Sequence, residues 1–209
     1  MRRPGGATGS PAVVGLDVGT TGVKALAVSP DGDVLAAATH GYALSTPRPG
    51  WAEQDPDDWL RAARSALAEV SAGRHVAGIG LSGQMHGLVV LDAAGSVIRP
   101  AILWNDQRTA AECAEIEERI GLDRLIELTG NRALPGFTAP KLLWLRRHEP
   151  EAYDRIARVM LPKDYVRRGL TGEWAIDASD ASGTLLLDVA RRDWSTEVLD
   201  ALELPREWL

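Results

Sequence analysis

Only one cysteine, Cys113, occurs in 209 residues, so no disulfide forms within the chain and a reducing cytoplasm suits it best. Lysine is almost as scarce. Of 23 basic residues only Lys24, Lys141 and Lys163 are lysines, and 29 acidic residues leave a net charge of −6. Such a chain lacks the clustered cations that neutralise phosphates, which argues against a nucleic acid as partner. No apolar run reaches the ~18 residues needed to cross a bilayer, so no membrane partner is expected. Met1 to Pro11 carries Arg2 and Arg3 and then Gly, Thr, Ser and Pro in place of an apolar middle, and reads as a flexible tail. The four histidines, His40, His75, His86 and His148, fall at no zinc-ligand spacing with Cys113. No internal repeat or low-complexity linker divides the chain. What is there is 45% hydrophobic and 25% charged, the balance of a folded chain with a well-formed core.

Val13 to Asp17 reads as a buried strand that ends at Gly19, and Val23 to Val28 as a second. Asp31-Gly32 marks a hairpin into a third strand over Val34 to Ala38. Asp55 and Pro56 open a helix with Trp59, Ala63, Ala66, Leu67 and Val70 at helical spacing. Strands follow at Val76 to Leu81, Leu88 to Leu91 and Ala101 to Trp104. Helices are expected over 109–120, 123–128, 140–148, 151–158 and 162–169, then an irregular stretch from Thr171 and a last helix at 196–202. Antiparallel strands followed by a crossover helix form the pattern of a ribonuclease-H-like α/β core with a mixed sheet. The later helices make a helical lobe, and residues 12–209 are expected to form one domain.

Three segments combine residue types that suit chemistry. Asp17-Val-Gly-Thr-Thr-Gly22 places a carboxylate at a strand end before a turn of glycines and hydroxyls, which suits phosphate and a hydrated magnesium ion, and equally an ordinary hairpin turn. Lys24 beyond it has no P-loop spacing. Gly83-Gln-Met-His-Gly87 is a loop between strands in which His86 would donate to a substrate hydroxyl, or simply face solvent. Trp104-Asn-Asp-Gln-Arg108 mixes an aromatic with amide, carboxylate and guanidinium, the set that holds sugars, but also the set of a helix N-terminus. Trp51, Trp144, Trp194 and Trp208 read as packing residues, since nothing basic interleaves with them. Asp177, Asp180 and Asp188 lie in a polar stretch that leaves a metal loop open but matches no EF-hand.

Together with Pro100-Ala-Ile-Leu before Trp104, Gly136-Phe-Thr-Ala-Pro-Lys141 and Leu161-Pro-Lys-Asp-Tyr165, these segments, in this order, resemble the N-terminal half of the FGGY carbohydrate kinases from about Val13 onward. The first segment is shared with the wider actin and hexokinase superfamily. The Gln-Met-His-Gly and Phe-Thr-Ala-Pro-Lys segments resemble the branch that acts on D-xylulose. The resemblance implies the first of two actin-like ribonuclease-H domains and ATP-dependent phosphorylation of D-xylulose or a related ketopentose. It implies that Asp17 orients magnesium through water and that Gly19, Thr20, Thr21 and Lys24 approach the ATP phosphates. Gln84, Met85 and His86 would contact the sugar, with Trp104, Asp106 and Arg108 as a neighbouring wall. The family's catalytic base, an Asp in a Gly-rich motif, has no match up to Leu209. The base and second domain are therefore expected further on, the isolated chain is expected to be inactive, and an uncovered face is expected to favour a homodimer. Ribulose, gluconate or glycerol as substrate, or a sugar-binding module without chemistry, are the other readings.

Overall fold

A computed structural model of the protein describes residues 11–209, so all of the expected tail except Pro11 lies outside the described residues. The chain divides into two compact units, one of residues 11–43 and 57–84, the other of 44–56 and 85–209. In chain order the first elements are β1 (Ala12–Val18), β2 (Gly22–Val28), β3 (Val34–Gly41), β4 (Glu53–Gln54), α1 (Pro56–Ser71), β5 (Val76–Gly83), β6 (Val89–Leu91) and β7 (Ala101–Ile102). The rest are α2 (Ala110–Ile120), α3 (Leu122–Thr129), α4 (Thr138–His148), α5 (Pro150–Tyr153), β8 (Arg158–Met160), α6 (Pro162–Thr171), α7 (Ala178–Ser182), β9 (Leu187–Asp188), β10 (Asp193–Trp194) and α8 (Thr196–Leu202).

The first unit is a mixed sheet in the order β3-β2-β1-β5, antiparallel except where β5 lies parallel to β1. Val14, Leu16 and Val18 alternate to the buried face of β1 while Val13, Gly15 and Asp17 face outward, the period of two that a strand imposes. A parallel neighbour requires a crossover, and α1 supplies it. Its buried stripe is Trp59, Ala62, Ala63, Ala66 and Val70, and Asp57 and Asp58 complement its N-terminal dipole.

The second unit packs α2, α3, α4 and α8 around Ile116, Leu125, Leu142, Leu145 and Leu199, with the two-stranded pairs β4-β7 and β6-β8 beside them. Here the structure departs from the periodicity. The helix expected over 151–158 stops at Tyr153, and Arg158–Met160 becomes strand β8 because it pairs with the buried strand Val89–Leu91. α4 starts at Thr138, two residues early. Pro140 is tolerated there because the first turn has no intrahelical partner for its missing N–H. Within the stretch read as irregular, Asp177 caps α7, its Oδ1 accepting the Asp180 N–H at 3.0 Å.

Candidate active site

In the first unit the odd face of β1 leaves Asp17 exposed at the strand end, opposite the exposed Lys24 in the register. The following turn is closed by the Gly19 N–H donating to the Gly22 carbonyl at 3.1 Å, so that donor is spent inside the turn. The Tyr42 hydroxyl donates to the Gly19 carbonyl. Burial, and then the charge of Asp17, hold that hydroxyl well above the usual tyrosine range. Gly22 admits no side chain, since a Cβ would stand 2.8 Å from the His40 carbonyl oxygen. The turn is therefore rigid, with Asp17 and Thr21 exposed on it. Among the described residues Asp17 forms no ion pair, and no group of three His, Cys, Asp or Glu side chains is placed for a metal. One outward carboxylate beside exposed hydroxyl and ammonium groups suits a hydrated magnesium ion whose remaining ligands come from nucleotide phosphates.

In the second unit the loop at His86 is assembled from several segments. An antiparallel bridge between Leu88 and Ile102 sets the loop beside the strand that leads to Trp104. The Gly87 N–H donates to the Met85 carbonyl at 2.7 Å and His86 has φ +63°, so His86 is the centre of a γ-turn in its rarer, strained hand. Its ring Nδ1 lies 2.8 Å from the Gly183 carbonyl and its ring meets Phe137 edge-on at 4.9 Å. A Cβ on Gly183 would overlap that ring, and a Cβ on Gly87 would come 2.7 Å from the Pro162 ring. The His86 carbonyl accepts from Thr138 Oγ1 at 3.1 Å and Lys141 Nζ at 2.9 Å, and Lys141 also donates to the Gly136 carbonyl at 2.6 Å.

A carbonyl only accepts, so Nδ1 carries the proton and the neutral ring presents a lone pair at Nε2. Burial lowers the ring's pKa, which favours that neutral form. In that form Nε2 can accept from a hydroxyl but not donate to one, where the sequence suggested a donor. No described residue takes up Nε2, and the apolar side chains of Met85 and Trp104 are 36% and 46% exposed. Gln84, by contrast, is buried and donates its N–H to the Val18 carbonyl at 2.8 Å at the end of the first unit's sheet.

Asp106 and Arg108 point inward. The fully buried Asp106 accepts the Ala52 N–H at 2.7 Å and two guanidinium N–H groups of Arg108 at 2.7 and 2.9 Å. Arg108 also meets Glu53 at 2.8 Å and lies over Trp51, 3.6 Å from the ring centroid. Glu53 in turn takes Arg99 at 2.5 Å. These bonds use the carboxylate and guanidinium groups expected to form a sugar wall, and leave Trp104 and Gln107 as the exposed members of that segment. Trp51 is a packing residue as expected, yet with a basic group against its face.

The acidic stretch is not a metal loop. Lys163 lies between Asp177, which it contacts, and Asp180 at 2.7 Å, putting an ammonium where a cation would go. Beside it Asp164 is buried, which pushes its carboxyl up to about 7. Sequence reading passed over Lys141 and Thr138 as separate contributors. The available signal was Lys141 standing as the single charge between Ala133 and Leu145, in a helix buried from Thr138 through Leu145.

The mixed sheet with its carboxylate-bearing turn, joined in sequence to the histidine loop, has the fold of sugar kinases of the actin- and hexokinase-like ATPase class. Solved structures agree: a xyloylose kinase from Brucella ovis matches with TM-score 0.88 and 45% identity over 95% of this chain and 42% of that one. A gluconate kinase from Lactobacillus acidophilus matches with TM-score 0.90 and 28% identity over 96% of this chain and 41% of that one. The chain belongs to the FGGY family of carbohydrate kinases, whose N-terminal domain matches residues 12–209. It is 50% identical over 197 residues to a xylulose kinase of Klebsiella pneumoniae, covering 93% of this chain and 40% of that relative.

Proposed function

We propose that the protein is a cytoplasmic ATP-dependent kinase that converts D-xylulose to D-xylulose 5-phosphate, with this chain as its sugar-binding domain. The observation that carries the reading is the open Nε2 of a neutral His86, fixed by the Gly183 carbonyl. A sugar hydroxyl donates to that nitrogen, while Met85 and Trp104 cover the carbon chain. Magnesium ATP, when bound, supplies the phosphoryl group and charge neutralisation. Asp17 would hold the ion through water, and Thr20, Thr21 and Lys24 would meet the phosphates around the turn closed by the Gly19 N–H and the Gly22 carbonyl. The carboxylate that takes the hydroxyl proton is none of the residues assigned here, so the isolated 209 residues bind sugar without turning it over.

ADP release measured with D-xylulose, L-ribulose, gluconate and glycerol on the complete polypeptide tests the substrate. D-xylulose is expected to give the highest kcat/KM, and a wide margin for another sugar overturns that choice. The gluconate kinase likeness makes gluconate the competitor to watch. Steady turnover by the 209 residues alone overturns the assignment of the base.

A further inference from the structure

A residue with a Cβ adopts a left-handed turn only where its surroundings over-determine it. At His86 two donors do so, since Thr138 and Lys141 both bond its carbonyl oxygen. Lys141 is unusual among buried lysines. It is wholly inaccessible, forms no ion pair among the described residues, and bonds two backbone carbonyls from two loops, His86 and Gly136. A methionine would fill the same space without a desolvated ammonium, so the nitrogen is retained for what it holds. Burial lowers its pKa to about 7, with the Asp106 charge working against that shift. Its neutral amine still has two N–H donors for the two carbonyls.

We propose that Lys141 is a positioning residue of the sugar site. By holding the His86 carbonyl it keeps the γ-turn strained and the imidazole seated on Gly183, so that Nε2 points where the sugar hydroxyl arrives. This rests on the sugar-binding reading of His86, and it adds a residue that touches no substrate. A role confined to stability would lower the melting temperature of a Lys141 variant and leave sugar affinity of the folded protein unchanged. Beyond burial, the Lys141 charge by itself lowers the His86 pKa, so the titration is diagnostic in Thr138→Val, which removes a donor to the same carbonyl without removing a charge.

The test uses the full chain, Lys141→Met, Thr138→Val and Thr138→Ser, with D-xylulose affinity by calorimetry and the His86 imidazole titration by NMR. In the unsubstituted chain the ring titrates below 6.5. In Lys141→Met the released ring is expected to titrate upward toward 6.5 and the affinity to fall by about tenfold or more. Thr138→Val removes the other donor and is expected to lose about threefold, while Thr138→Ser keeps it and stays within about twofold. Should Lys141→Met fail to fold, the valine and serine pair decides by the same two readouts. Unchanged affinity in the folded variants, or an unchanged His86 titration in Thr138→Val, overturns the proposal. If the unsubstituted chain does not bind D-xylulose, the sugar reading fails instead, and the His86 titration in Thr138→Val, where no charge is lost, then judges whether the bonds to the His86 carbonyl position the ring.

Discussion

Buried ionisable side chains govern this protein at the residue scale, and three behave in ways that their one-letter codes hide. Arg108 is held by Asp106, Glu53 and the Trp51 face. Arg108→Met leaves the fully buried Asp106 carboxylate without a cation, while Glu53 keeps Arg99, and is expected to cost about 3–5 kcal/mol in urea unfolding, a larger effect than on sugar affinity. Asp164 and Lys141 set opposite pH slopes. The folded state keeps Asp164 protonated up to about 7 whereas the unfolded chain releases that proton near 3.8, so stability falls as pH rises across that window. Lys141 loses its proton near 7 when folded and near 10.5 when unfolded, so stability rises with pH from about 7 upward. The two contributions meet in a minimum near neutral pH. Melting temperature against pH is expected to lose its acid limb in Asp164→Asn and its alkaline limb in Lys141→Met. Sugar affinity has its own dependence, because protonation of His86 turns Nε2 from acceptor to donor. Burial holds that protonation below the usual imidazole range, so affinity should hold at neutral and alkaline pH and decline only on the acid side, and a profile that stays flat down to acid unfolding would remove His86 as the acceptor.

Elements were legible in proportion to their length. β1, β2, β3 and α1 follow alternation or helical spacing over seven or more residues, so near-neighbour pattern alone locates them. β4, β9 and β10 have two residues each and no periodicity to read, whereas β7, equally short, lies within the apolar run read as a strand over Ala101 to Trp104. α7, with five residues, is announced only by its Asp177 cap, yet it leads directly to Gly183 and so to the His86 ring. The glycines test this placement. Gly183→Ala drives a Cβ into the imidazole and is expected to weaken D-xylulose binding by about tenfold. Gly80→Ala on β5 has nothing within 4 Å and should leave both affinity and melting temperature close to their starting values. Calorimetry on the two variants separates a specific clash from a general intolerance of glycine replacement.

For the molecule as a whole, the first unit ends its sheet on β5, an edge strand with Ile79 51% exposed, next to β1 with Val13 52% exposed. Unpaired backbone beside exposed apolar side chains invites pairing with another chain. The 209 residues alone are therefore expected to self-associate as concentration rises, and Ile79→Lys to shift sedimentation toward monomer; identical sedimentation of the two would exclude this edge. The chain spans about 40% of the length of its curated relatives, so catalytic completeness is a matter for the whole polypeptide.

The amino-acid sequence by itself determined the charge balance, the long strands and α1, and the order of segments that marks an FGGY kinase, because these depend on residue identity and close spacing. Tertiary structure alone decided that Arg108 turns inward, that Lys163 fills the acidic stretch, and that Lys141 reaches the His86 carbonyl across 55 positions. Periodicity carries no record of such pairs. They are selected by the desolvation cost of a buried charge, which is met only where the folded chain brings a distant partner within hydrogen-bond reach.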